Sequence, residues 1–124
     1  MARKTYTADE LSPPIGPFSQ AVAAGEFVYL SGQTGQDAGG QLVAGDVAAQ
    51  TAQIFRNLEA VLRAAGKTLG DVVKVHVFLT DMADFGAMKA EYARHFEAPY
   101  PARTTVGVAA LPLGARVEID VVAR

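Results

Sequence analysis

The stretch DVAAQTAQIFRNLEAVLRAAGKTLGDVVKVHVFLTD, residues 46–81, carries two hydrophobic periods in succession, and that succession decides the fold class. In its first part Val47, Ile54, Phe55, Leu58, Val61, Leu62 and Ala65 recur along one helical stripe, while Gln50, Gln53, Arg56, Asn57, Glu59 and Arg63 fall off it. The spacing predicts a helix with one buried face. Asp46 is suited to cap it, because a short carboxylate accepts from the free amides of a first turn. Gly66 is suited to stop it, because glycine enters the left-handed conformation at no steric cost. Arg63 and Lys67 lie near the negative end of the helix dipole. The period then falls to two: Val73, Val75, Val77 and Leu79 alternate with Val72, Lys74, His76 and Phe78, which predicts a strand with one core face.

Outward from this unit the pattern continues. Phe85, Met88, Tyr92 and Phe96 form a second stripe, so a helix capped by Asp84 is expected to run to about Phe96, with Lys89, Glu91, Arg94 and Glu97 on its other face. Upstream, GPFSQAVAAG (16–25) and EFVYLSGQTG (26–35) read as a hairpin closed at Gly25. Downstream, RTTVGVAAL (103–111) and ARVEIDVVA (115–123) read as two strands linked by PLG. The order strand, strand, helix, strand, helix, strand, strand predicts an α+β fold, a mixed sheet with two helices on one face. Valines and alanines on both faces of several strands predict that the uncovered face meets another subunit, so a homo-oligomer is expected.

Composition limits the chemistry. One domain spanning 1–124 is expected, since a chain of this size buries roughly two thirds of its unfolded surface in one core. Half the residues are hydrophobic and 19% charged, an ordinary folded composition. MARKTYTADELS (1–12) has no apolar region behind its basic residues, and nowhere do 18 uncharged apolar residues run together; a cytoplasmic protein without membrane attachment is expected. The absence of cysteine excludes disulfides, thiolate metal sites and cysteine nucleophiles. With 11 basic and 13 acidic residues and no basic block beyond Arg3–Lys4, nucleic acid is a poor candidate partner.

Two charges stand out because they interrupt apolar strands. Arg103 follows Pro101 by two residues at the start of one strand, and Glu118 lies inside the last, opposite in phase to Val117, Ile119 and Val121. Arg103 reads either as a strand-end residue in a surface ion pair or as an anion clamp. Glu118 reads either as an exposed strand residue paired with Arg116 or Lys74, or as a pocket carboxylate. His76 and His95 sit on different elements with no third ligand at a recognisable spacing and read as structural; Tyr92 and Phe96 read as core.

The segments PPIGPFSQAV (13–22), FVYLSGQTG (27–35), DVAAQTAQIFRNLEAVLRAAG (46–66), DVVKVHVFLTDMADF (71–85) and YPARTTVGVAALPLGARVEIDVVA (100–123) together resemble the RidA/YjgF family of reactive intermediate deaminases, in order and spacing over nearly the whole chain. The resemblance implies a chorismate-mutase-like α+β fold, assembled as a homotrimer around a central β-barrel with a pocket at each subunit boundary. It implies hydrolysis of 2-imino and 2-enamino acids such as 2-aminoacrylate and 2-iminobutanoate to 2-oxo acids and ammonia, with no cofactor or metal. Arg103 would grip the substrate carboxylate as a bidentate fork, and Glu118 would hold the attacking water and shuttle protons. Ser31 and the Gly32 amide would support the carboxylate end, and the Thr105 carbonyl would hold the substrate nitrogen.

The chain also departs from the family. Phe18 stands where a tyrosine is common and keeps the apolar wall without the hydroxyl. Thr105 stands where a cysteine is frequent. Lys89 replaces a common asparagine: a cation there either biases selection toward more acidic substrates or is solvated. Ser31 also reads simply as a strand end. Three other functions remain open: a 2-oxo acid or small-carboxylate binding regulator without turnover, an endoribonuclease or translation inhibitor, and a redox or metal-activated chaperone, the last weakened by the lack of cysteine.

Overall fold

In the computed structural model, which describes residues 2–124, helix α1 spans Val47–Ala64 and begins as its sequence requires, with the Asp46 carboxylate accepting from the Ala49 amide at 3.0 Å. It ends at Gly66, whose φ of +73° lets the Gly66 amide donate to the Arg63 carbonyl at 2.9 Å and the Lys67 amide to that of Leu62 at 2.8 Å. The expected stripe from Val47 to Leu62 is buried. Gln50 and Asn57, expected off the stripe, are buried as well, because both tie the helix to backbone it covers. Gln50 Oε1 accepts from the Arg116 amide at 2.9 Å, and Asn57 Nδ2 donates to the Gln36 carbonyl at 2.9 Å.

The six strands are β1 (Lys4–Tyr6), β2 (Ala21–Ala24), β3 (Phe27–Leu30), β4 (Val72–Leu79), β5 (Ala102–Gly107) and β6 (Val117–Ala123), in spatial order β1-β2-β3-β6-β4-β5. The hairpin β2–β3 closes as expected, with Gly25 at φ +59° in its two-residue turn. Strand β1 was not expected: three residues are too few to show a period, and it exists by pairing with the edge of β2. In β4 the alternation holds from Val75 to Leu79 but not before. A register shift against β6 between Val72 and Lys74 turns Val72 inward and leaves Val73 43% exposed.

Helix α2 spans Phe85–Tyr92, shorter than the stripe suggested; turns carry the chain on so that Phe96 still packs edge-on against Phe55, 5.5 Å between ring centroids. Asp84 does not cap it. Its carboxylate instead takes the Arg116 guanidinium, at 3.0 Å from Nε and 2.6 Å from Nη2, fastening the start of α2 to the start of β6. Glu91, expected toward solvent, turns in to His95 Nε2 at 2.7 Å.

The connections explain why both helices cover one face. Strands β3 and β4 are each antiparallel to β6 and therefore parallel to one another, with α1 crossing between them; β4 and β5 pair in parallel, with α2 crossing. Two right-handed crossovers advancing in the same direction place their helices on the same side. The side under the helices holds Val75, Val77, Leu79, Val117, Ile119 and Val121, all buried. The open side is less apolar than expected. Tyr29 and Val106 are exposed there, but between them lies a polar strip in which His76 Nδ1 meets Asp120 at 2.7 Å and Lys74 Nζ donates to Thr104 at 2.9 Å. No helix among the described residues is long and apolar enough to cross a membrane.

Candidate active site

Pro101 ends immediately before β5, the strand that closes one end of the sheet. Arg103 is in register with Val75, which is fully buried, so Arg103 leaves the sheet on the helix side. At that edge α2 supplies an aromatic floor: the guanidinium carbon lies 4.9 Å from the centre of the Tyr92 ring and 5.6 Å from that of Phe85. Lys89 Nζ lies 5.6 Å from the same Phe85 ring. The Tyr92 hydroxyl is buried and forms no hydrogen bond of standard geometry. Burial pushes its phenol above the ordinary value, and the neighbouring Arg103 charge opposes that rise. Thr105, two residues along β5, projects on the same side, in register with Val77. Arg103 forms no ion pair among the described residues of the chain.

A second group forms on the open side. Glu118 is in register with Phe78 and projects away from the helices. Gly32 lies directly against it: a Cβ at Gly32 would collide with the Glu118 carboxylate. Reciprocal bonds between Gln33 and Ile119, at 2.9 and 3.0 Å, hold the two segments together. Ser31 Oγ donates to the Ser19 carbonyl at 2.6 Å, which ties the segment bearing the half-exposed Phe18 to the end of β3; the hydroxyl thus has a structural duty. Burial pushes the Glu118 carboxyl above its ordinary value, and the nearby Asp120 charge adds to the rise. Its two suggested partners are engaged elsewhere, Arg116 with Asp84 and Lys74 with Thr104.

Arg103, Thr105 and Lys89 therefore gather on one side of the sheet, and Gly32 and Glu118 on the other, with Ser31 and the Phe18 segment next to Gly32 along the chain and through the Ser31–Ser19 bond. Within one chain the two groups do not meet. The histidines belong to neither. His95 stacks on Phe55 at 4.3 Å between centroids and bonds Glu91, while His76 bonds Asp120. The sequence reading missed Phe85, and took Tyr92 only as core; the signal was their placement with Lys89 on one helix face at i, i+4 and i+7, directly before the strand bearing Arg103.

A family model described as Endoribonuclease L-PSP matches residues 9–124. The chain belongs to this family, the RidA/YjgF family. Among its RidA/YjgF relatives, Protein DfrA of Myxococcus xanthus is 47% identical over 99% of this chain and 96% of that protein. A 2-iminobutanoate/2-iminopropanoate deaminase of Dermatophagoides farinae is 45% identical over 97% and 95%. RidA from the Antarctic bacterium Psychrobacter sp. PAMC 21119 superposes with a TM-score of 0.92 at 43% identity, each chain covered to 98%. E. coli TdcF, solved with bound serine, superposes with a TM-score of 0.89 at 35% identity, each chain covered to 97%.

Proposed function

We propose that this RidA/YjgF protein hydrolyses 2-imino and 2-enamino acids to 2-oxo acids and ammonia. The observation that carries the reading is Arg103: a guanidinium seated on two aromatic rings with no carboxylate of its own is prepared to take one from a ligand. The deaminase name of the Dermatophagoides relative and the serine bound to TdcF, itself a small carboxylate, support it.

In this reading Arg103 holds the substrate carboxylate, supported by Ser31 and the Gly32 amide, and the Thr105 carbonyl accepts from the substrate N–H. The ionised Glu118 accepts a proton from water as its oxygen bonds to the C=N carbon. The C=N pair moves to nitrogen, which takes a proton, giving a carbinolamine. The carbinolamine hydroxyl then gives up its proton while the amino nitrogen takes one through Glu118, the C–N bond breaks, and ammonia leaves with the 2-oxo acid. A carboxyl raised above its usual value suits a group that takes a proton and returns it.

Arg103 and Thr105 project from one side of the sheet and Glu118 from the other, so in this reading a complete pocket takes Arg103, Thr105 and Lys89 from one copy and Glu118, Gly32, Ser31 and Phe18 from another. The fully exposed Ile15, beside Phe18, and the exposed Tyr29 and Val106 fit burial against such a copy. A homotrimer around a central barrel meets this requirement. Light scattering is expected to give a particle near three times the 13.0 kDa chain, stable on dilution to micromolar concentration; a monomer would remove the shared pocket.

The direct test is 2-oxo acid formation from 2-iminobutanoate, generated in place from threonine by a dehydratase, with and without this protein. Acceleration over spontaneous hydrolysis is expected. Binding of 2-oxobutanoate without acceleration would identify a carboxylate-binding protein instead.

A further inference from the structure

The carboxylates of α2 and of the turn before it, Asp81, Asp84 and Glu91, are all engaged away from Lys89 and Arg103. Asp81 caps its own turn through the Ala83 amide at 2.9 Å, Asp84 holds Arg116, and Glu91 holds His95 and Arg94. Lys89 and Arg103 are left as two cations over one ring, each 5.6 Å from the centre of Phe85 and so no more than twice that distance apart, with no ion pair to either among the described residues. Like charges placed this close disfavour one another unless an anion lies between them. Arg103 is committed to one carboxylate in the reading above. Lys89 asks for a second.

We propose that Lys89 is a specificity residue that selects 2-imino acids carrying a second carboxylate, the four- and five-carbon dicarboxylic imino acids. Arg103 holds the carboxylate beside the imine carbon, Phe85 lies under the carbon chain, and Lys89 takes the far carboxylate. Two charge-assisted hydrogen bonds of about 2.8 Å, joined by a chain of that length, span the gap between the two cations. An ammonium suits the far position, since a flexible stem with a compact charge follows ligands of different length better than a rigid fork does. A substrate with an apolar side chain gains nothing from Lys89 and leaves its charge uncompensated. The inference rests on the imine-hydrolase reading, but it makes a separate demand of the site.

The test compares 2-iminosuccinate, generated from aspartate by an aspartate oxidase, with 2-iminopropanoate, generated from alanine by an amino acid oxidase. The wild type is expected to show the higher kcat/KM for the dicarboxylic imine. Lys89→Gln is expected to lower the ratio of the two constants about tenfold, the size of one charge-assisted hydrogen bond, with Lys89→Arg restoring most of it and Lys89→Glu reversing the preference. Calorimetric binding of 2-oxoglutarate against 2-oxobutanoate gives the same comparison without turnover. Lys89 is exposed, and unchanged melting curves confirm that the variants fold. Hydrolysis of both imines with the same ratio in wild type and Lys89→Gln would overturn the inference and leave the hydrolase reading standing. Absence of turnover together with Lys89-dependent preference for 2-oxoglutarate would do the reverse.

Discussion

Arg103→Ala is expected to fold, assemble and lose its deaminase activity by about a hundredfold or more, on the order of 3 kcal/mol of transition-state stabilisation. The loss is large because the substrate carboxylate is stripped of water in the pocket and then finds no partner. Lysine is expected to rescue little, for two reasons visible around the residue. The guanidinium carbon lies 4.9 Å from the centre of the Tyr92 ring and 5.6 Å from that of Phe85, a contact that a compact ammonium on a flexible stem does not reproduce, and only the fork offers two parallel donors to a carboxylate. The stability cost of either variant is expected to stay under about 1 kcal/mol, because Arg103 is exposed and unpaired within the chain. The measurement is 2-oxo acid formation from 2-iminobutanoate by the three proteins alongside their melting curves. Full activity in folded Arg103→Ala would remove the carboxylate clamp, and with it the proposed chemistry.

Glu118→Gln is expected to retain 2-oxo acid binding while turnover falls by about 10²–10⁴, the usual contribution of a positioned acid/base group. The wild-type rate is expected to fall toward acid as Glu118 is protonated, with a midpoint above the ordinary glutamate value because burial, and then Asp120, raise it; the amide variant lacks that limb. Stability should move the opposite way. A carboxyl whose folded value lies above its unfolded one favours the neutral form, so its stabilisation is present at low pH and is lost as pH rises from the unfolded value through the raised folded one. Glu118→Gln is therefore expected to melt higher than wild type at pH 7 and alike below the ordinary glutamate value of 4.5, a modest difference since the group is half exposed. Equal turnover of the two forms would make Glu118 structural. Gly32→Ala probes the same carboxylate from outside: its Cβ occupies the space of the Glu118 oxygens, which can swing aside, so folding should survive and activity should not.

The sequence by itself determined what depends on neighbours along the chain. The α1 stripe, its Asp46 cap and Gly66 stop, the Gly25 turn and the opposite phases of Glu118 and Ile119 are local consequences of period and backbone freedom, and each stands in the structure. Local rules failed where a distant group competed. Asp84 gave up its cap for the Arg116 guanidinium because a bidentate ion pair outweighs one amide bond, and Gln50 and Asn57 went under the helix because buried backbone there needed partners. The candidate residues were legible as types and positions, but not their arrangement. That β6, last in the chain, inserts between β3 and β4 and leaves β5 at an edge follows only from tertiary pairing, which no local period encodes. That insertion brings Glu118 against Gly32 on one side, while the β4–β5 pairing sends Arg103 to Phe85, Tyr92 and Lys89 on the other. Which side of a sheet a residue faces is set by its register with a distant strand, and so the division of the candidate site between two sides was decided by the tertiary structure alone.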